Sequence, residues 1–351
     1  MSAVTLRTAE PPVELAEAPT RTLEAFVDET GLESVVLGAS KDPNAKVTTL
    51  LVSSATRRAV YAVKVPTTDV AERAVEAELR TLRALPRVGG IAPTLPEVVE
   101  CVQHHGRIAL VATALDGTPM TRVYLRRGHT SSSTHVRGDF DAAASWLAAF
   151  HDATAHGEGP IDFGGEIATR LGVRFADDPS ILGDLARLDD ILGRLGEQRV
   201  RRTAVHGDFW FGNLLVDDGR LVGVVDWEGA EANGDPVRDL VRFVVAYALY
   251  LDRGTRAGRR VRGHDGLIAD EWGRPLEWAL EGNGWFGDVF REFVRSGLTR
   301  LGASPDVWRD AILAGVAEVA GITDDIDFAR HHLELFRRLP ARPRNEGERA
   351  R

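Results

Sequence analysis

Cysteine is nearly absent: Cys101 is the single one among 351 residues. One thiol forms no internal disulfide and no multi-cysteine metal site, so disulfide-stapled scaffolds, zinc ribbons and iron–sulfur clusters are excluded together. Long apolar runs are missing too. The longest, residues 244–251, is far below the ~20 residues that cross a bilayer, so no membrane contact is expected. Lysine is scarce: of 43 basic residues only Lys41, Lys46 and Lys64 are lysines. A lysine kept where arginine is the default cation points to chemistry that needs a compact ammonium on a flexible stem. A surplus of positive charge is also lacking. The net charge of -9 works against a general nucleic-acid binder, which must release phosphate counterions with a concentrated basic surface. The loop over residues 38–46 has no G-x-G-x-x-G string, and the whole sequence has no G-K-[ST], H-E-x-x-H, C-x-x-C or G-x-S-x-G string, which removes the Walker loop, zinc protease and serine hydrolase readings.

What is present is an ordinary globular composition, 44% hydrophobic and 27% charged. At about 150 residues per domain the length suits two domains or two lobes. Residues 1–20 are rich in Pro, Glu and Ala and read as a flexible tail; with Glu10, Glu14 and Glu17 and no apolar stretch they do not form a signal peptide, so the expected location is cytoplasmic. A short helix is expected over 22–30, then strands over 34–38, 47–53 and 59–65, a helix over 69–85 with Val75, Leu79 and Leu82 at helical spacing, and strands over 95–102 and 107–113. Helices then dominate, over 140–154, 181–195, 237–251, 286–301, 305–320 and 327–339. Between the second and third of them lie short runs at 203–206, 213–216 and 221–225, the last two joined by the hairpin turn Asp217-Asp218-Gly219.

The informative stretch is His206 to Glu228, HGDFWFGNLLVDDGRLVGVVDWE. It spaces Asp208 and Asn213 five residues apart and returns Asp226 after a hairpin. Phosphoryl transfer needs a carboxylate to orient and receive the proton of the attacking hydroxyl, and oxygen ligands to hold magnesium against nucleotide phosphates. The string H-G-D-x-x-x-x-N, then D-W-E, then G-D-P-V-R-D-L at 234–240 resembles the aminoglycoside phosphotransferase and choline kinase family, the small-molecule branch of the protein-kinase-like fold. That resemblance implies an α+β, bilobal protein-kinase-like fold, with a small antiparallel-sheet N-lobe over 21–112, a larger mainly helical C-lobe over 113–340 that carries catalysis and acceptor binding, and a flexible tail over 341–351.

By the same resemblance Asp208 is the catalytic base, Asn213 and Asp226 are magnesium ligands, and His206 supports the catalytic loop. Lys64 sits in the apolar strand A-V-Y-A-V-K-V-P, where a charge is expensive without a partner or ligand; its implied role is to hold the α and β phosphates. An acid on the next helix should pair with it. Glu78, with Leu82 and Leu85 following at helical spacing, is favoured over Glu76. Ser40 and Lys41, in the loop between the first two strands, are candidate phosphate contacts, and the backbone of 112–115 is the candidate adenine hinge. Asp239 is expected to buttress the catalytic loop, Glu228 to be structural, and His151 to be a satisfied core or surface histidine. Cys101 is expected to be inert.

The function implied is an ATP- or GTP-dependent phosphotransferase, with magnesium, acting on a small-molecule hydroxyl: an aminoglycoside, sugar or amino alcohol. A catalytically inactive nucleotide-binding regulator is the alternative. Two segments are candidates for the acceptor pocket: an arginine loop (Arg253, Arg256, Arg259, Arg260, Arg262) and a tryptophan and acid segment (Asp270, Glu271, Trp272, Glu277, Trp278, Glu281, Trp285). Carboxylates there would suit a polycation; the arginines would repel it and suit a neutral or anionic sugar.

Overall fold

The computed structural model describes residues 19, 21–41, 43–87, 89–282 and 284–340; the expected tails at 1–20 and 341–351 lie outside the described residues, apart from Pro19. The chain divides into two compact units, one taking residues up to 83 together with 97–114, the other 84–96 together with 115 onward.

In the first unit, Thr22 caps helix α1 (Leu23–Thr30) by accepting from the Ala25 N–H, and Gly31, at φ 63°, ends it in the left-handed conformation that glycine adopts freely. Strands β1 (Glu33–Ala39), β2 (Lys46–Val52) and β3 (Ala59–Pro66), helix α2 (Asp69–Ala84) and strands β4 (Val98–His104) and β5 (Arg107–Thr113) follow. The sheet is antiparallel with strand order β1-β2-β3-β5-β4. Its core joins Phe26 with Leu51, Val63, Val65, Val102, Ala109 and Val111. Side chains alternate across a strand, so with Val63 and Val65 turned into this core, Lys64 stands on the opposite face. Thr48 and Leu110 flank Lys64 in the register, which puts it in the middle of the sheet. The strand expected from residue 95 begins only at Val98, because residues Gly89–Thr94 wind into a 3-10 turn. That turn belongs to the second unit, where the Trp146 indole N–H donates to the Thr94 hydroxyl at 2.8 Å.

The second unit is mainly helical. It runs β6 (Thr118–Pro119), α3 (Met120–Tyr124), α4 (Ser133–Thr154), β7 (Glu158–Pro160), α5 (Ile167–Arg174), α6 (Ile181–Gly196), β8 (Arg199–Arg201), β9 (Thr203–Val205), β10 (Leu214–Asp217), β11 (Arg220–Val224), β12 (Glu231–Gly234) and α7 (Val237–Leu249), then β13 (Arg259–Arg260), β14 (Ile268–Ala269), α8 (Arg274–Leu280), α9 (Gly284–Leu301), α10 (Trp308–Ile322) and α11 (Ile326–Arg338). Helix α4 starts at Ser133, earlier than expected, because Ser132 caps it and Val136 extends the buried stripe formed by Phe140, Ala143, Leu147 and Phe150. Helices α5 and α8 were not expected; both are short, and each buries its apolar residues only against neighbouring elements. Phe140 packs edge-on against Phe243, Tyr247 and Phe293, the T-shaped geometry that aromatic quadrupoles favour. This joins α4, α7 and α9 into the core beneath the candidate site.

Candidate active site

Strand β9 pairs with β12 and delivers the chain into the His206-Gly207-Asp208 turn. Gly207 has φ 79°, and a Cβ there would lie 2.1 Å from the Gly229 carbonyl oxygen, so the turn requires glycine for both reasons. Asp239, in the first turn of α7 and fully buried, accepts the amides of His206 (2.7 Å) and Gly207 (2.9 Å) on its two oxygens. Burial pushes its carboxyl above the usual range, while these two donors pull it back. Asp239 therefore buttresses the loop as expected.

His206 is completely buried and its ring is tilted by 58° against that of Trp227, with ring centroids 4.6 Å apart. Its Nδ1 lies 3.2 Å from the Asp208 amide and its Nε2 lies 3.0 Å from the Val225 carbonyl. An amide can only donate and a carbonyl can only accept, so the pattern fixes the neutral tautomer with the proton on Nε2. One imidazole thus ties the amide of Asp208 to the residue preceding Asp226.

The Asp208 carboxylate is held from two sides. Arg242, on α7, sets Nε at 2.8 Å and Nη2 at 2.7 Å from Oδ1. Asn213 donates Nδ2 at 3.0 Å to Oδ2 and at 3.0 Å to the Asp208 carbonyl. With its amide nitrogen so engaged, the Asn213 Oδ1 is the atom suited to face a cation. Val225 donates its N–H to the Asn213 carbonyl at 3.0 Å, so Asp226 leaves its strand beside Asn213. Asp226 has φ 71°, a conformation that side-chain-bearing residues seldom adopt and that marks functional turns. Oxygen donors from one amide and one carboxylate suit magnesium, which takes one or two carboxylates and completes its shell with water and phosphate oxygens. Among the described residues no group of three or more His, Cys, Asp and Glu side chains could hold a metal by itself.

The sequence reading missed Arg242. It stands one turn beyond Asp239 on the same helix, in the otherwise apolar run V-R-F-V-V-A-Y-A-L, where a charge calls for a partner. It missed Asp235 as well. That carboxylate, fully buried, accepts the amides of Val237, Asp162 and Phe163 and so fixes the start of α7. Arg238 bonds Glu231 and, at 2.6 Å, Glu318.

In the first unit, Lys64 Nζ meets both oxygens of Glu78, at 2.8 and 2.6 Å. Glu78 is buried, whereas Glu76 is only partly buried and lies in the electrostatic neighbourhood of Cys101. Ser40 is bound within its own loop, donating to the Asn44 carbonyl at 2.6 Å and accepting from the Lys46 amide at 2.9 Å. Lys41 is exposed. Cys101 is buried and unpaired in a disulfide, and burial pushes its thiol up, which fits an inert residue.

Three of the acids proposed for an acceptor pocket bond arginines of their own unit. Glu277 meets Arg338 at 2.7 Å and Arg274 at 3.2 Å, Glu271 meets Arg338 at 2.8 Å, and Glu281 lies 3.8 Å from Arg274. Trp278 is core, and Trp285 donates to the Gly263 carbonyl at 3.0 Å. The arginine loop is exposed; Arg253 lies over the Tyr250 ring, which itself neighbours Trp210, two residues after Asp208. His151 is buried, as one expected alternative had it, but it is not satisfied: neither ring nitrogen has a hydrogen-bond partner, and burial lowers its pKa to about 3.

The family model described as "Phosphotransferase enzyme family" (APH) matches residues 44–278. No curated protein matches the sequence. Among solved structures, a thermostable mutant of aminoglycoside phosphotransferase APH(4)-Ia in its apo form superposes with a TM-score of 0.57 at 17% identity, covering 90% of this chain and 96% of that one. A ternary complex of another thermostable APH(4)-Ia mutant, with ADP and hygromycin B, gives 0.53 at 16% identity, with the same coverage. The GDP complex of an aminoglycoside 2'-phosphotransferase-IIIa mutant gives 0.50 at 15%, covering 90% of this chain and 94% of that one. At such identities the likeness establishes the fold.

Proposed function

This chain belongs to the phosphotransferase enzyme family and is a small-molecule kinase, and we propose that it moves the γ-phosphoryl group of ATP or GTP to a hydroxyl of a small acceptor. In this reading Asp208 accepts the hydroxyl proton, Asn213 and Asp226 hold magnesium, Lys64 positions the α and β phosphates with Glu78 fixing its ammonium, and His206 sets the loop. Lys41 and the loop backbone remain the phosphate contacts near the first strands, since the Ser40 hydroxyl already bonds within its loop. Magnesium, when bound, neutralises charge building on the phosphates; the chain's own part is to place the hydroxyl and take its proton. A cytoplasmic setting goes with nucleoside triphosphate as co-substrate.

The observation that carries the reading is the Asp208 carboxylate, oriented by Arg242 and Asn213 in a loop pinned to α7. For the acceptor, the pairing of Glu271, Glu277 and Glu281 with internal arginines speaks against a polycation. A neutral or anionic hydroxyl compound fits better the exposed arginines and the Trp210–Tyr250 aromatic pair. The test is magnesium-dependent nucleotide consumption against aminoglycosides, neutral and acidic sugars, choline-like alcohols and hydroxy amino acids, with Asp208→Asn as blank. A phosphate gained by one neutral or acidic acceptor supports the reading. Nucleotide binding without transfer to any of them supports the inactive regulator instead, and transfer confined to aminoglycosides would overturn the acceptor class alone.

A further inference from the structure

Resting on that reading, we infer that Arg242 is a positioning residue that decides which oxygen of Asp208 receives the acceptor's proton. Each carboxylate oxygen offers two lone-pair sites. Oδ1 accepts the Nε–H of Arg242 at 2.8 Å and is ion-paired with Nη2 of the same guanidinium at 2.7 Å, so it is held against the cation. Oδ2 takes one, from Asn213 Nδ2 at 3.0 Å, and keeps a site. A free aspartate rotates broadly about its last torsion and presents either oxygen. Here one donor on each oxygen, with the guanidinium ion-paired to Oδ1, fixes the plane, so Oδ2 is the receiving atom. In the transfer step the acceptor's O–H bond breaks, its proton passes to Oδ2, the acceptor oxygen bonds to the γ-phosphorus, and the bond to the leaving nucleoside diphosphate breaks with its electron pair.

The guanidinium is itself placed rigidly. The first amide of its helix, Val237 N–H, donates to Asp235, Arg238 anchors the helix to Glu318, and Asp239 grips the two residues before Asp208. One helix therefore fixes both the backbone and the side chain of the loop. The pair is also partly shielded, with side chains 26% and 33% exposed, unlike a solvated surface bridge.

The experiment compares kcat and KM of wild type, Arg242→Ala, Arg242→Lys and Asp208→Asn on one acceptor, with thermal transitions recorded alongside. Arg242→Ala is expected to lower kcat about 100-fold, the scale of a misplacement near 1 Å, while KM for nucleotide stays within about threefold. Arg242→Lys should recover part of the loss. Millimolar guanidinium should raise the turnover of Arg242→Ala and do nothing for Asp208→Asn. Turnover of Arg242→Ala close to wild type overturns the inference alone. So does a loss that follows unfolding and answers neither to lysine nor to guanidinium. A wild type inactive on every acceptor overturns this inference and the proposed function together.

Discussion

At the scale of single residues, the site separates groups that act on ligands from groups that hold them in place. Asp208→Asn preserves size and the bond from Asn213 but removes the carboxylate proposed as the base. Transfer should fall by roughly 100-fold or more, in line with general-base contributions, while nucleotide affinity stays near wild type; kcat and a nucleotide titration on the same preparation check both. Lys64 has a second consequence. Glu78 is buried to 2% exposure, and Lys64→Ala removes the ammonium that meets both its oxygens, so stability should drop by about 3 kcal/mol as for other broken buried pairs, together with weaker nucleotide binding. Adding Glu78→Gln should return much of the stability and none of the binding. Denaturant midpoints that do not move in the single variant would show the pair to be solvated.

At the scale of elements, two glycines with almost the same backbone torsion have different jobs. Gly219, at φ 72° in the β10–β11 turn, has open space where a Cβ would go; Gly207, at φ 79°, has the Gly229 carbonyl there. Gly219→Ala should cost about 1 kcal/mol, the conformational penalty alone. Gly207→Ala must push the His206-Gly207-Asp208 turn off its partner segment and should abolish most turnover if the proposed roles hold, even where the protein stays folded by circular dichroism. Equal activity in the two variants would count against the turn as a precision element. The same comparison marks what a sequence can reveal about an element. Strands β1, β2 and β3 and helix α2 were legible because density in Val, Leu, Thr and Tyr and the 3.6-residue period are local properties. Helices α5 and α8 were not, since their apolar residues are few and become meaningful only against neighbours, and the start of α4 was hidden in a polar run.

At the scale of the whole molecule, the interior contains histidines that folding keeps neutral. Burial lowers both His151 and His332 to about 3 from an ordinary 6.5. A base with a depressed folded value binds its proton in the unfolded chain first. The stability tied to it is therefore complete above pH 6.5 and is lost as pH falls toward 3. Each such group adds a slope of about 1.4 kcal/mol per pH unit in that window. His151→Leu leaves no hydrogen bond broken, so it should hold or raise stability at neutral pH and flatten the acid slope by about that amount. Urea unfolding of both proteins from pH 7 to 4.5 tests it, and parallel curves would mean that His151 titrates in the folded state.

Sequence alone determined the parts that are written in short, ordered strings. The spacing of His206, Asp208, Asn213 and Asp226 and the lysine in an apolar strand carried the resemblance that implied the reaction class, and residue type and local period gave the succession of strands and helices. Tertiary structure decided what depends on two distant segments meeting. It brought the Lys64 ammonium onto Glu78, gave the Ser40 hydroxyl to its own loop, paired Glu271, Glu277 and Glu281 of the tryptophan segment with Arg274 and Arg338, and set Arg242 on Asp208 across 34 positions of chain. A charge in a sequence carries no record of its partner. The partner is fixed by burial, where an unpaired ion is too costly to keep, and burial is a property of the folded chain.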